Sequence, residues 1–145
     1  IQPEGIRVRP GQLRGCELDL NATPDALPMM AVVGCFADGR TELVNVPQAR
    51  LKETDRIDVM CRELSRMGAK IEERSDGLVI ERNDLKAAEV DGHHDHRVVM
   101  ALAVAGTAIS GETRIRTAEA VDVTFPTFVE CMTSLGADLR MEPDS

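Results

Sequence analysis

The sequence has almost no aromatic side chains: three Phe, no Tyr and no Trp in 145 residues. Stacking on bases needs such rings, and holding a nucleic-acid backbone needs surplus positive charge. The formal net charge is −8, so both requirements fail, and nucleic acid is excluded as the main partner. Neither a GxxxxGK[S/T] phosphate loop nor a GxGxxG dinucleotide turn occurs, which argues against a nucleotide enzyme. No charge-free apolar run is long enough to span a membrane. No signal peptide is visible, although the chain begins at Ile1 rather than Met. The four cysteines, Cys16, Cys35, Cys61 and Cys131, include no close pair, and three fall in apolar helical patterns. They read as reduced, buried thiols and predict a cytoplasmic protein.

What the chain does have is aliphatic. Hydrophobic residues make up 43% and charged residues 29%, the balance of a globular domain whose core is Leu, Val, Ile, Met and Ala. Alternation at Ile6-Arg7-Val8-Arg9 predicts a short strand turned by Pro10-Gly11, and Glu17-Leu18-Asp19-Leu20 predicts a second. Thr23 is placed to N-cap a helix with Pro24 in its first position. The helix over 26–37 is apolar on every side, so it should be buried; Pro28 falls in its first turn and Gly39 ends it. A strand at 41–46 and a loop at 47–50 follow. From Thr54, Ile57, Met60, Cys61, Leu64 and Met67 keep helical spacing opposite Asp58, Arg62, Glu63 and Arg66, and Gly68 closes this amphipathic helix. A hairpin over 69–74 and 78–81 turns at Ser75-Asp76-Gly77.

The pattern then recurs. A strand at 88–90 precedes a second all-round apolar helix over 98–109, capped by Asp95 and ended by Gly111. A strand at 113–116, an amphipathic helix from Phe125 to Leu135, and a last strand at 137–141 complete it. Gly39-Arg40-Thr41-Glu42-Leu43 parallels Gly111-Glu112-Thr113-Arg114-Ile115, and Met67-Gly68-Ala69-Lys70-Ile71 parallels Leu135-Gly136-Ala137-Asp138-Leu139. Two α/β repeats, at about 16–81 and 87–141, are therefore expected within a single domain. Charged residues alternate along the strands while the most apolar elements are helices, which implies helices enclosed by sheets with one wet face.

Three places carry candidate chemistry. Asp25 starts a buried helix; it is either a carboxylate resting on the helix dipole or a base and hydroxyl acceptor in a cleft. Lys52, Glu53 and Arg56 lie within one turn. They form either a surface salt-bridge cluster or a site where cations hold an anion while Glu53 moves a proton. In His93-His94-Asp95-His96-Arg97, imidazoles and a carboxylate offer metal-ligand chemistry. Contiguous residues converge poorly on one ion, however, so no metal site is assigned. The other reading has Asp95 capping the helix while His96 and the planar fork of Arg97 face an anion.

Taken together, Pro24-Asp25-Ala26, the Arg-x-Lys-Glu-Thr-Asp-Arg run from Arg50 to Arg56, Asp95-His96-Arg97 and Thr124-Phe125-Pro126 resemble the EPSP synthase (3-phosphoshikimate 1-carboxyvinyltransferase) family. The likeness runs from about Asp19 to Leu139 and is to the C-terminal third of such enzymes. The resemblance implies an inside-out α/β barrel of repeated βαβαββ units with buried helices, here a partial C-terminal domain. It implies transfer of the enolpyruvyl group of phosphoenolpyruvate to the 5-hydroxyl of shikimate 3-phosphate, with no cofactor and with an N-terminal domain as partner. It gives Asp25 the ring hydroxyls and a base role, places Lys52 near the reacting hydroxyl, and gives Glu53 the proton at the methylene carbon. Arg56 and Arg97 would clamp phosphoenolpyruvate with support from His96, and Gln48 would face the substrate. One departure is Val123, where many members carry Lys.

Two rivals remain at this level. The enolpyruvyl transferase acting on a UDP-sugar shares the fold but lacks the Lys-Glu-Thr-Asp-Arg and Asp-His-Arg pieces. A metal-dependent phosphohydrolase would use the His-rich pentad. The isolated chain is expected to be inactive, because closing two domains over two anions and excluding water needs the other half.

Overall fold

The computed structural model describes residues 5–143. Strand β1 (Glu17–Asp19) leads through a short 3-10 turn at Pro24–Ala26 into helix α1 (Leu27–Phe36), and strand β2 (Arg40–Val44) follows. A 3-10 turn at Pro47–Leu51 precedes α2 (Arg56–Arg66), and the hairpin β3 (Lys70–Arg74) and β4 (Gly77–Glu81) comes next. The order then restarts with β5 (Glu89–Asp91), α3 (His96–Thr107), β6 (Arg114–Arg116), a 3-10 turn at Ala118–Val123 and α4 (Phe128–Ser134).

The first unit forms a four-stranded mixed sheet in the order β1-β2-β4-β3, in which β1 and β2 are parallel and the other pairs antiparallel. The second contributes only the parallel pair β5-β6. Parallel neighbours need a crossover, and α1 and α3 supply it in the two units. The register sorts the side chains. Leu43 opposite Leu78 and Thr41 opposite Ile80 point into the core, while Glu42, Glu72 and the Arg40, Lys70 and Glu81 rung line the outer face. That outer face carries ion pairs such as Arg40–Glu42 at 2.8 Å.

Helices α1 and α3 pack on each other at the centre. Leu27, Ala31, Ala101, Leu102 and Ala105 have no solvent exposure, as expected of helices without a polar face. Small residues let each helix approach its own sheet. A Cβ on Gly34 would stand 3.3 Å from Thr41, and a Cβ on Gly106 would stand 3.3 Å from Thr113. Gly34 and Gly106 thus occupy matching places in the two units, as do Thr41 and Thr113. Helix α2 covers the open side with Ile57, Met60 and Leu64, and Gly68 closes it at φ +88°.

Several local expectations change. Residues 6–9 form no strand: they are exposed, and Leu13, Arg14 and Gly15 bond to Asp38 instead. Alternation without a neighbouring edge does not make a strand. The final strand at 137–141 is also missing, because among the described residues no strand pairs with it; Ala137 N–H instead bonds to Met132 O to close α4. Thr23 makes no side-chain cap, since a 3-10 turn takes up the helix start. Helix α1 stops at Phe36 with Ala37 extended, and Gly39 serves the turn into β2. The stretch expected as a loop at 47–50 is a 3-10 turn. Glu63, assigned to the polar face of α2, is fully buried. All four cysteines are free thiols, but only Cys35 is buried, while Cys61 is half-buried and Cys16 and Cys131 are exposed.

Candidate active site

Two helix starts meet. Asp55 N-caps α2 by accepting Asp58 N–H at 3.1 Å. Asp95 caps α3 by accepting Arg97 N–H at 2.9 Å. Each cap satisfies an amide that the helix leaves free. Arg56, the first residue of α2, then reaches across: Nε donates to Asp95 Oδ2 at 2.7 Å and Nη2 to Asp95 Oδ1 at 3.1 Å. Asp95 therefore caps one helix and pairs with the other, a role its sequence position did not reveal.

The remaining donors of Arg56 bind two further carboxylates, with Nη2 to Glu53 Oε2 at 2.6 Å and Nη1 to Asp25 Oδ1 at 2.9 Å. Its side chain is 1% exposed. Burial opposes the charge, but Asp95, Glu53 and Asp25 outweigh it and raise the pKa of Arg56 above the ordinary value. Arg56 is thus a permanently charged hub.

Around the hub lies an accessible ring. Asp25 also meets Lys52 Nζ at 3.2 Å and Arg97 Nη2 at 3.3 Å. Its partial burial works against ionisation, but Lys52, Arg97 and Arg56 hold its carboxyl below the usual carboxylate range. Glu53 Oε1 stands 3.9 Å from His96 Nδ1. Lys52, Glu53, Asp25 and Arg97 are each between 30% and 48% exposed at the side chain, so a ligand can reach them. An open recess of about 140 Å³ beside Asp25 and Arg97 is floored by Pro28, Met29, Met100 and Phe128.

The structure therefore brings together Asp25, Lys52, Glu53, Arg56, His96 and Arg97, drawn from the start of α1, the segment before α2, and the start of α3. Three cations and the three carboxylates Asp25, Glu53 and Asp95 balance. Gln48 is bonded elsewhere, donating to Asn21 O at 2.8 Å. Val123 is exposed. Lys52 and Arg97 are partnered mainly by one carboxylate, so an anionic ligand that replaces Asp25 costs them little.

The three histidines diverge. His93 Nε2 faces Glu63 Oε1 at 2.9 Å, His94 Nδ1 faces Glu119 at 3.6 Å, and His96 faces Glu53. Among the described residues no three His, Cys, Asp or Glu side chains are placed to hold a metal ion.

The fold, with two buried crossover helices whose starts share an array of acids and bases, defines a repeat-built α/β unit of the enolpyruvyl transferase type. The EPSP synthase (3-phosphoshikimate 1-carboxyvinyltransferase) family model matches residues 2–132, and the chain belongs to that family. It is 57% identical over 139 residues to the 3-phosphoshikimate 1-carboxyvinyltransferase of Acetivibrio thermocellus, covering 96% of this chain and 33% of that protein. The enzyme of the same name from Ruminiclostridium cellulolyticum is 58% identical over 136 residues, covering 94% of this chain and 32% of that protein. The chain thus spans about a third of the length of these relatives. EPSP synthase from Acinetobacter baumannii superposes with a TM-score of 0.82 at 29% identity, over 91% of this chain and 32% of that one. The enolpyruvyl transferase NikO of Streptomyces tendae, at a TM-score of 0.73 and 23% identity over 89% of this chain and 29% of that one, shares the fold. The architecture is part of that inside-out α/β barrel, with its first βαβαββ unit complete and its second ending at α4.

Proposed function

We propose that this chain supplies one wall of an active site that moves the enolpyruvyl group of phosphoenolpyruvate to the 5-hydroxyl of shikimate 3-phosphate. The observation that carries the reading is the balanced cluster of Asp25, Lys52, Glu53, Arg56 and Arg97 in a member of this family. Both substrates are anions, and the cluster holds accessible cations beside accessible carboxylates.

In this reading Lys52 and Arg97 leave Asp25 to take the incoming anions. Asp25, with its counter-ions drawn away, becomes more basic and accepts the hydrogen of a substrate hydroxyl. The 5-oxygen bonds to the central carbon of phosphoenolpyruvate and loses its proton to that base. Glu53, 3.9 Å from His96, gives a proton to the methylene carbon, forming a tetrahedral adduct. Glu53 then takes back a proton from the methyl group as the bond to phosphate breaks and the double bond is restored, and the hydroxyl proton held by Asp25 leaves with the phosphate. Arg56 keeps Glu53 in place and, as Asp25 turns to the substrate, exchanges that contact for the carboxylate end of phosphoenolpyruvate, with His96 behind it. Gln48 reaches the substrate by giving up Asn21 O.

The remaining two thirds of the enzyme is the second partner, since water must be excluded around both anions. The domain reading, two repeats in one C-terminal piece, and a cytoplasmic setting with reduced thiols belong to the same proposal. A UDP-sugar acceptor is not favoured, because the close relatives are named for 3-phosphoshikimate. The test is Glu53→Gln in the full-length enzyme. Turnover is expected to fall about 100-fold or more, as for loss of a general acid–base group, with a much smaller change in substrate binding. Unchanged turnover would remove Glu53 from the proton-transfer role.

A further inference from the structure

We propose that Glu63 and His93 act as positioning residues, a second clamp on the loop that delivers Asp95, His96 and Arg97 to the site. This rests on the function proposed above for its kinetic readout, but not for its structural one.

Arg56 and Glu63 are seven residues apart on α2 and share its buried face, although both are charged. Each grips the same loop. Arg56 holds Asp95 at the loop's end. Glu63 holds its beginning, where Oε2 accepts Asp91 N–H at 3.1 Å and Oε1 meets His93 Nε2 at 2.9 Å. Two turns of helix thus fix both ends of residues 91–95.

The loop needs holding. His93 and His94 are consecutive non-glycine residues in the left-handed region, at φ 52° and 57°. Such backbone persists only where the surroundings over-determine it. The other restraints come from β5 and β6: Asp91 Oδ1 accepts His93 N–H at 2.7 Å and the Thr117 hydroxyl at 3.0 Å, and Thr117 Oγ1 accepts His94 N–H at 3.1 Å. His93 is faced by Glu63 and Arg62 from α2 and by Asp91 and His94 from its own loop, with Arg62 Nη2 3.4 Å from its ring. Glu63 in turn is met by Arg66 at 2.9 Å and Arg62 at 3.4 Å. These two arginines flank the buried carboxylate, and His93 Nε2–H donated to Glu63 Oε1 completes the clamp.

Losing the His93 contact leaves the loop held by Arg56–Asp95, the Asp91 amide on Glu63 and the Thr117 contacts, with no side-chain bond from α2 to the strained residues themselves. Arg97 then loses its set position opposite Asp25. The proposed chemistry of the acceptor hydroxyl is not touched directly, so substrate capture should suffer more than turnover.

The test uses the full-length enzyme carrying His93→Asn or His93→Gln. Asn suits the left-handed backbone but is too short to reach Glu63, whereas Gln, which suits it less, places an amide donor near the Nε2 position. Loss of one such hydrogen bond corresponds to about five- to thirtyfold. His93→Asn is expected to speed amide exchange across 92–97 and raise the phosphoenolpyruvate KM by that order, with kcat within about twofold; His93→Gln should restore both. Exchange and KM like wild type in both variants, or equal loss in both, would overturn the proposal. Absence of turnover in the wild-type enzyme would reject the functional reading alone. Amide exchange would then still decide the clamp: faster only in His93→Asn supports it, and any other pattern overturns it.

Discussion

Arg56 and Asp95, thirty-nine residues apart, form a two-bond ion pair at 2.7 and 3.1 Å with exposures of 1% and 0%. Removing the Asp95 charge takes from buried Arg56 its one fully buried partner and leaves only the half-exposed Glu53 and Asp25. Asp95→Asn should therefore destabilise the folded chain by about 3–5 kcal/mol, read as a lower urea midpoint. Arg40→Ala, which breaks an exposed pair on the wet face of the sheet, should leave the midpoint unchanged.

The paired threonines give a prediction of opposite sign. The hydroxyls of Thr41 and Thr113 are buried and find no hydrogen-bond partner among the described residues, and each threonine lies against a helix glycine. An unpaired buried hydroxyl carries a desolvation cost of about 1–3 kcal/mol. Thr41→Val and Thr113→Val keep the shape and remove that group, so each should raise the melting temperature. A fall in both would mean the hydroxyls are satisfied in solution.

Much of this was legible in the chain. Helices without a polar face announced burial, and the doubled Gly-x-Thr and Gly-Ala segments announced repetition. Lys52, Glu53 and Arg56 could be grouped by closeness in sequence, but the helix expected to align them starts only at Arg56, and it is Arg56 and Asp25 that draw Lys52 and Glu53 in. The link from Arg56 to Asp95 was hidden, since it joins the starts of two helices through tertiary packing. Glu63 was misplaced for a related reason: periodicity sorts charges outward, and the loop opposite α2 adds His93 and the Asp91 amide to Arg62 and Arg66 as partners that make burial tolerable. Strands 6–9 and 137–141 failed because alternation says nothing about whether a neighbouring edge exists.

Thiol reactivity should separate the cysteines. Burial pushes the Cys35 thiol up to about 12, whereas Cys16 and Cys131 are exposed. Iodoacetamide at pH 8, followed by peptide mass analysis, should label Cys16 and Cys131 and spare Cys35 until the chain is unfolded. Early labelling of Cys35 would contradict the packing of α1.

Glu63 gives an acid-side signature. Burial pushes its carboxyl up, but His93, the Asp91 amide, Arg66 and Arg62 outweigh this and hold it below the ordinary 4.5. Because its folded value is the lower one, its contribution is fully present above the ordinary value and is lost as pH falls through the folded value. Between pH 7 and pH 3, Glu63→Gln should start less stable and lose stability less steeply below about pH 4.5. The same pH dependence in both proteins would show that the folded value of Glu63 is not lowered.

The most direct measurement is phosphate release from phosphoenolpyruvate with shikimate 3-phosphate, on this chain alone and on the chain mixed with the remaining part of the enzyme. The account predicts no release above background from the chain alone and steady release from the mixture. Release from the chain alone, or none from a mixture shown to be folded and associated, would contradict it.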